Sequence, residues 1–368
     1  MGTNENKFHG SDVEYIEEKY NINKEEIINY SSNCNPLGIS PKIKKELANN
    51  IELIASYPDR NYTALIDQIR KYCKTSEQNI IVGNGSTELI SLAIKCINPK
   101  KALVLGPTYS EYEKEIFLNG GSTYYYRLKE ELNFQLQIID IKSKLTDNID
   151  LLILCNPNNP TSTAVEKNTL RQILDHCKEK DIFVLIDETY VEFTENINNI
   201  TAIPFTNYYS NLMILRGVSK FFSAPGLRLG YGICGNETIR DKINKNKNPW
   251  TINALAALAG EIMLSDTEYI GETRALIDSE RTRLYNELLT WDNIKVYKPE
   301  ANFILIKLLD NEVTSTQIFE KLIKEKILIR DVSDFPFLNS QFIRFCLQTP
   351  ENNTKLLEAL KIYISQEN

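Results

Sequence analysis

Histidine is nearly absent: the chain has two in 368 residues, His9 and His176. With no Cys-x-x-Cys pair either, the sequence lacks the ligand set of a zinc cluster, and no metal site is expected. The seven cysteines (Cys34, Cys73, Cys96, Cys155, Cys177, Cys234, Cys346) are odd in number and scattered, which argues against a disulfide framework and fits reduced thiols. No apolar run approaches the ~20 residues of a membrane span. The opening MGTNENKFHGSDVEYIEEKY holds no apolar signal region, and Asn6 stands where an N-myristoylation signal has Ser or Thr. A cytoplasmic protein with no membrane partner is expected. Charge of one sign is lacking too: 42 basic against 49 acidic residues give −7, with no run of like charge, so no nucleic-acid partner is expected. Low-complexity linkers and internal repeats are missing as well.

What is present is a chain long enough for a large core and two domains. From residue 79 onward, short apolar runs alternate with helical patterns. NIIVGNG, ALVLGP, STYYYRL, LLILCNP, IFVLIDE, LMILRGV and LGYGIC read as strands; STELISLAIKCI, SEYEKEIFLN and NTLRQILDHCKEK read as helices. Ser86 or Thr87 is expected near the N-cap of the first of these helices, and His176 is expected to be a plain helix residue. Continuous apolar strands alternating with helices predict an α/β fold, a mostly parallel sheet covered on both faces. After Trp250 the pattern changes to two long helices, INALAALAGEIMLSD and EYIGETRALIDSERTRLYNELLT, then NIKVYKP, NFILIKLL, ILIRDV and FIRFCLQ as strands with two more helices. That is a smaller α+β unit, with the boundary between about 245 and 290.

In an open parallel sheet, ligands bind beyond the carboxyl ends of the strands. Gly83-Asn84-Gly85-Ser86-Thr87 can let a phosphate approach a helix start, or can be an ordinary capped turn. Tyr109 can stack on a flat ring or cover the sheet edge. Asn156 to Thr161, with Pro157 and Pro160, holds amide side chains in a rigid turn. Asp187 ends a buried strand, so its charge needs a partner: a cationic ring nitrogen or an arginine. Lys220, in RGVSKFFSAPGLRLGY, sits among apolar neighbours, where burial makes an amine a better nucleophile toward an aldehyde. It can equally reach outward or pair with Asp187. Together these positions supply a phosphate cradle, a stacking ring, an amide, a carboxylate for a pyridinium and an amine for an imine, the set that pyridoxal phosphate needs.

GNGSTE, GPTYSEYE, NPNNPT, IDETY and SKFFSAPGLRLGY, in that order, resemble the fold-type I pyridoxal-phosphate enzymes of aminotransferase class I/II. The resemblance spans nearly the whole chain. It implies an aspartate-aminotransferase-like fold, with an N-terminal arm (1–40), a large cofactor domain (41–250), and connecting helices with a small C-terminal domain (251–368). It implies Lys220 as the Schiff-base lysine, Asp187 as partner of the pyridine nitrogen, Tyr109 on the ring face, and Asn159 and Tyr190 at the ring hydroxyl. Gly85, Ser86, Thr87, Ser219 and Arg228 would bind the cofactor phosphate, and Tyr57 would reach the phosphate of a neighbouring subunit, which implies a homodimer with shared sites. Arg344 would bind a substrate carboxylate. Within the family, SSNCNPLG carries Cys34 where histidinol-phosphate aminotransferases have glutamate. KFHGSDV, INYSSNCNPLG and ILIRDVSDF look more like threonine-phosphate decarboxylases of cobalamin biosynthesis. That likeness implies His9 and Arg330 at a substrate phosphate, Asn33 near the substrate carboxylate, and decarboxylation of L-threonine O-3-phosphate, with amino-group transfer to a 2-oxo acid as the alternative. Two positions depart from the family pattern. Ser162 replaces a glycine, so the turn after Thr161 is expected to differ. Gly217 stands where a Ser or Thr helps to bind phosphate.

Overall fold

The computed structural model describes residues 12–365; His9 lies outside them. The described strands form three sheets. A two-stranded parallel sheet pairs β1 (Ile28–Asn29) with β11 (Ile327–Leu328). The largest sheet contains β2 (Ile80–Asn84), β3 (Lys101–Gly106), β4 (Ser122–Arg127), β5 (Leu151–Cys155), β6 (Phe183–Asp187), β7 (Leu212–Gly217) and β8 (Leu229–Cys234), in the order β2-β8-β7-β6-β5-β3-β4. The third holds β9 (Ile294–Val296), β10 (Phe303–Leu308), β12 (Arg330–Asp331) and β13 (Phe342–Cys346), in the order β12-β13-β10-β9.

The mostly parallel sheet expected from the sequence is present. β8 alone runs against its neighbours, antiparallel to both β2 and β7. Every residue of β5, β6 and β7 is buried, which is why these strands read as unbroken apolar runs. Helices supply the cover through one apolar stripe each: Lys167–Glu179 buries Leu170, Ile173, Leu174 and Cys177, at the spacing of one helical face. His176 is indeed an ordinary residue of that helix, with Nε2 at 3.0 Å from the Leu145 carbonyl. Among the described residues no helix is long and apolar enough to cross a membrane.

Two local expectations change. ILIRDV is two short strands, not one: β11 pairs with β1, and β12 pairs with β13 in another sheet. An unbroken apolar pattern does not report that its hydrogen-bond partner changes midway. At Ser162 the backbone keeps the left-handed conformation that favours glycine, at φ 58°. The buried hydroxyl compensates by accepting from the Ala301 N–H at 3.0 Å, and the Ser162 carbonyl accepts from Glu300 N–H at 2.8 Å. A net hydrogen bond of about 1 kcal/mol offsets a left-handed cost of similar size. The serine thus ties the turn after β5 to the chain entering β10.

Candidate active site

The carboxyl ends of β5, β6 and β7 open into one cleft of 1310 Å³, closed on the other side by residues around β12 and β13. That is more than a single small ligand occupies. Ser86, Thr87, Tyr109, Asn159, Asp187, Tyr190, Ser219, Lys220, Arg228, Asn33, Arg330 and Arg344 all line it, so most of the expected site residues converge in one place. Tyr57 does not: its ring is 80% exposed and packs on Trp250, with centroids 4.7 Å apart.

The phosphate-type cradle is built by two close approaches. Gly85 has φ +78°, and a Cβ there would lie 2.5 Å from Arg228 Nη2. Gly230, paired with Gly83 across β2–β8, passes so close beneath that a Cβ would lie 2.4 Å from the Ser86 nitrogen. The helix begins at Gly85, a residue earlier than Ser86, and Asn84 at its N-cap makes no side-chain cap bond. First-turn N–H groups of a helix have no partner within it, and Ser86 and Thr87 of that turn line the cleft together with Arg228. Gly217, the unusual position, is not crowded: a Cβ would meet Leu229 O at 3.5 Å and the Ser86 side chain at 3.8 Å.

Asp187 is 5% exposed at the end of β6. Its carboxylate accepts from Tyr112 Oη at 2.7 Å, Thr189 N at 2.9 Å and Thr189 Oγ1 at 2.6 Å. Burial pushes its pKa up, against the lowering effect of those donors. Lys220 follows β7 and is held by Phe221 and Phe222, both in the core. Its Nζ donates to the Ser32 carbonyl at 2.6 Å. Burial is the main reason its pKa is lowered, so a larger neutral fraction exists at pH 7 than for a solvated lysine. Neither Asp187 nor Lys220 has an ion-pair partner among the described residues. The alternative pairing of these two with each other is not formed.

Tyr109 rests edge-on to Tyr112 at 5.6 Å and 87°, and burial pushes its hydroxyl up to about 12. Tyr190 Oη accepts from Asn33 Nδ2 at 3.3 Å. Asn159 Oδ1 accepts from Arg344 Nη1 at 2.5 Å, and the Ser31 carbonyl accepts from Nη2 at 2.5 Å. Arg344 is 4% exposed and faces no carboxylate within ion-pair reach among the described residues; burial lowers its pKa to about 10. Arg330 donates to both carboxylate oxygens of Asp334, at 2.9 and 2.7 Å.

Pyridoxal phosphate fits this donor set. A buried carboxylate with no cation among the described residues answers a protonated ring nitrogen, a half-buried amine with no anion among them answers an aldehyde, and the Gly85–Arg228 cradle answers a phosphate. Ser31 Oγ, Asn33 Oδ1, Thr108 Oγ1 and Arg344 Nε, all lining the cleft, are buried without a hydrogen-bond partner among the described residues. Buried polar atoms seldom stay unpaired, and four around one cleft point to ligand groups. No group of His, Cys, Asp or Glu among the described residues could hold a metal ion.

Sequence reasoning missed several contributors. Tyr112 and Thr189, which fix Asp187, had readable signals: one sits a helical turn beyond Tyr109, the other directly after the acidic pair. The carbonyls of Ser31 and Ser32 and the clamp from Asp334 had none.

The family model described as Aminotransferase class I and II matches residues 25–360. A protein of Caldanaerobacter subterraneus subsp. tengcongensis, provisionally named threonine-phosphate decarboxylase, is 38% identical over 90% of this chain and 88% of its own length. The threonine-phosphate decarboxylase of Salmonella typhimurium is 30% identical over 97% of this chain and 96% of its own. The crystal structure of the histidinol-phosphate aminotransferase from Clostridium acetobutylicum is 38% identical, covers 91% of this chain and 98% of its own, and superposes with a TM-score of 0.86.

Proposed function

We propose that this chain, which belongs to the aminotransferase class I and II family, binds pyridoxal 5'-phosphate in the cleft and acts on a small amino acid that carries a phosphate. Members of that family depend on this cofactor in general. When bound, the cofactor draws electrons from the substrate Cα. Asp187 would hold the ring nitrogen in its protonated form, and Tyr112 and Thr189 aim the carboxylate. Tyr109 would cover the ring, Asn159 and Tyr190 would hold its hydroxyl, and the Ser86 and Thr87 amides with Gly85, Ser219 and Arg228 would take the phosphate. Lys220 gives up its hydrogen bond to the Ser32 carbonyl and carries a proton to or from the substrate. Arg344, with Asn33 beside it, holds the substrate carboxylate.

One observation carries the choice of substrate. Arg330 on β12 and Arg344 on β13 are direct cross-strand partners, both buried. Like charges directly opposite each other destabilise a sheet, so two guanidinium groups side by side call for two anions side by side, of which the chain itself supplies one, Asp334 at Arg330. A compact substrate with a carboxylate and a phosphate a few bonds apart meets that demand. We therefore read the reaction as decarboxylation of L-threonine O-3-phosphate to aminopropanol phosphate. The likeness to the Clostridium histidinol-phosphate aminotransferase favours a second reading, in which Arg344 takes the carboxylate of the partner 2-oxo acid. Incubation with threonine phosphate and no oxo acid separates them: carbon dioxide release supports the first, and turnover that requires 2-oxoglutarate supports the second. Arg330→Ala should raise KM for threonine phosphate roughly a hundredfold, the loss of a charge-assisted bond, and leave unphosphorylated threonine unaffected. Equal effects on both would remove Arg330 from this role.

The space at Gly217 gives a further expectation. Gly217→Ser puts a hydroxyl beside Ser86 without a clash, and should hold the cofactor up to about tenfold tighter, the worth of one hydrogen bond to a charged group. A cofactor titration of the stripped protein reads it, and a weaker or equal constant denies the site its phosphate there. A homodimer belongs to the same proposal: Ile51, Ile54, Tyr57 and Trp250 leave an apolar strip on the surface. So does the division into an arm (1–40), a cofactor domain (41–250) and connecting helices with a small domain (251–368).

A further inference from the structure

Two aspartates stand near each other after β11, and they are held very differently. Asp331 is tied down: it accepts from Ser315 Oγ and Thr316 Oγ1, each at 2.8 Å, and from Ser333 N at 2.9 Å. Asp334 accepts only from Arg330 among the described residues, and its side chain is 34% exposed. The Arg330 side chain is 10% exposed and lies over the Phe335 ring at 5.4 Å, a contact that does not involve Asp334. Both Arg330 and Asp334 line the cleft.

From this contrast we infer that Asp334 is a built-in stand-in for the substrate's phosphate. Its carboxylate neutralises Arg330 beside Arg344 while the cleft is free, and gives way to the phosphate when substrate arrives. No other hydrogen bond has to break for it to leave, because nothing else among the described residues holds it. The exchange trades one anion for another at Arg330, so the charge balance at that guanidinium is kept throughout. It also weakens every anion at this point by the strength of the internal pair, which keeps stray phosphate out of the cleft. The inference rests on the reading of Arg330 as the partner of the substrate phosphate.

The test uses the cofactor-loaded protein, so that the cofactor's own phosphate site is filled, and inorganic phosphate as the probe. Binding is followed by calorimetry and by the rise in melting temperature with phosphate. Asp334→Asn keeps the shape and removes the charge. A half-exposed ion pair is worth up to about 1 kcal/mol, so phosphate should bind about threefold to fivefold tighter in this variant. Its melting temperature without phosphate should be lower than that of the unmodified protein, and phosphate should recover it. The gain should vanish in Arg330→Gln/Asp334→Asn. Unchanged or weaker phosphate binding in Asp334→Asn overturns the inference, because it leaves Asp334 only the task of orienting Arg330. A gain that persists in the double variant overturns it too. Arg330→Gln alone separates the two levels: if it leaves phosphate binding untouched, the reading of Arg330 fails. If it loses binding while Asp334→Asn gains none, only the stand-in fails.

Discussion

Lys220→Ala should fold, lose turnover by at least about a thousandfold, and lose the visible absorption of amine-bound pyridoxal phosphate. Three features of the chain set this expectation. The lysine follows Val218 and Ser219 after the end of β7, where Phe221 and Phe222 are buried and fix the backbone, so the amine is placed rather than loose. Burial favours its neutral form, which is the form that bonds an aldehyde and accepts a proton. Among the described residues the amine has one hydrogen bond, to the Ser32 carbonyl, and no acid to lock it as a cation. Lys220→Arg keeps a charge and a similar length but cannot deprotonate, so it should be as inactive as the alanine variant. The sign for stability is the opposite of the sign for activity. A buried lysine with a lowered pKa binds fewer protons folded than unfolded, so the cofactor-free protein gains stability as pH rises through that lowered value. Removing the amine removes that slope. Spectra and turnover of the two variants check the first part, and melting curves against pH check the second. An alanine variant with more than a hundredth of the original turnover would take Lys220 out of the chemistry.

How far the sequence could lead is clearest at particular residues. Asp187 and Lys220 were readable because a charge at the end of an apolar strand has few explanations. Gly85 was readable because glycine before a helix start marks a close approach, here of Arg228. The helix start itself was placed a residue late: Ser86 looks like a cap, but a phosphate-type cradle leaves the first-turn donors uncapped. The facing of Arg330 and Arg344 was hidden, because it depends on strand register, and register is set by pairings far apart in the chain. Backbone acceptors such as the Ser31 and Ser32 carbonyls have no residue signature at all. Asp334 was hidden for another reason. A charge in a loop is the most ordinary thing in a sequence, and only its lack of other partners among the described residues makes it notable.

Asp187→Asn should move stability and activity in opposite directions. Asparagine can keep the local bonds: its carbonyl oxygen accepts from Thr189 N and Oγ1, and its amide faces the Tyr112 hydroxyl. What is lost is a charge. In the cofactor-free protein that charge is a burden, since burial pushes the Asp187 pKa up. An acid with a raised folded pKa binds more protons folded than unfolded, so stability falls as pH rises from the ordinary carboxylate range through the raised value. The variant lacks this slope and should melt higher than the original at neutral pH. With the cofactor in place the charge changes its meaning, because a cationic ring nitrogen supplies the missing counter-ion. The variant can no longer hold that nitrogen protonated, and kcat should fall by about 10²–10³, as when one preorganised electrostatic partner is removed. Cofactor should also wash out more readily on dialysis. A variant that melts lower when stripped, or that keeps both cofactor and kcat, would show that the buried carboxylate serves the fold and not the ring. The expected opposition of signs is the mark of a site that stores an unpaired charge for a ligand to complete.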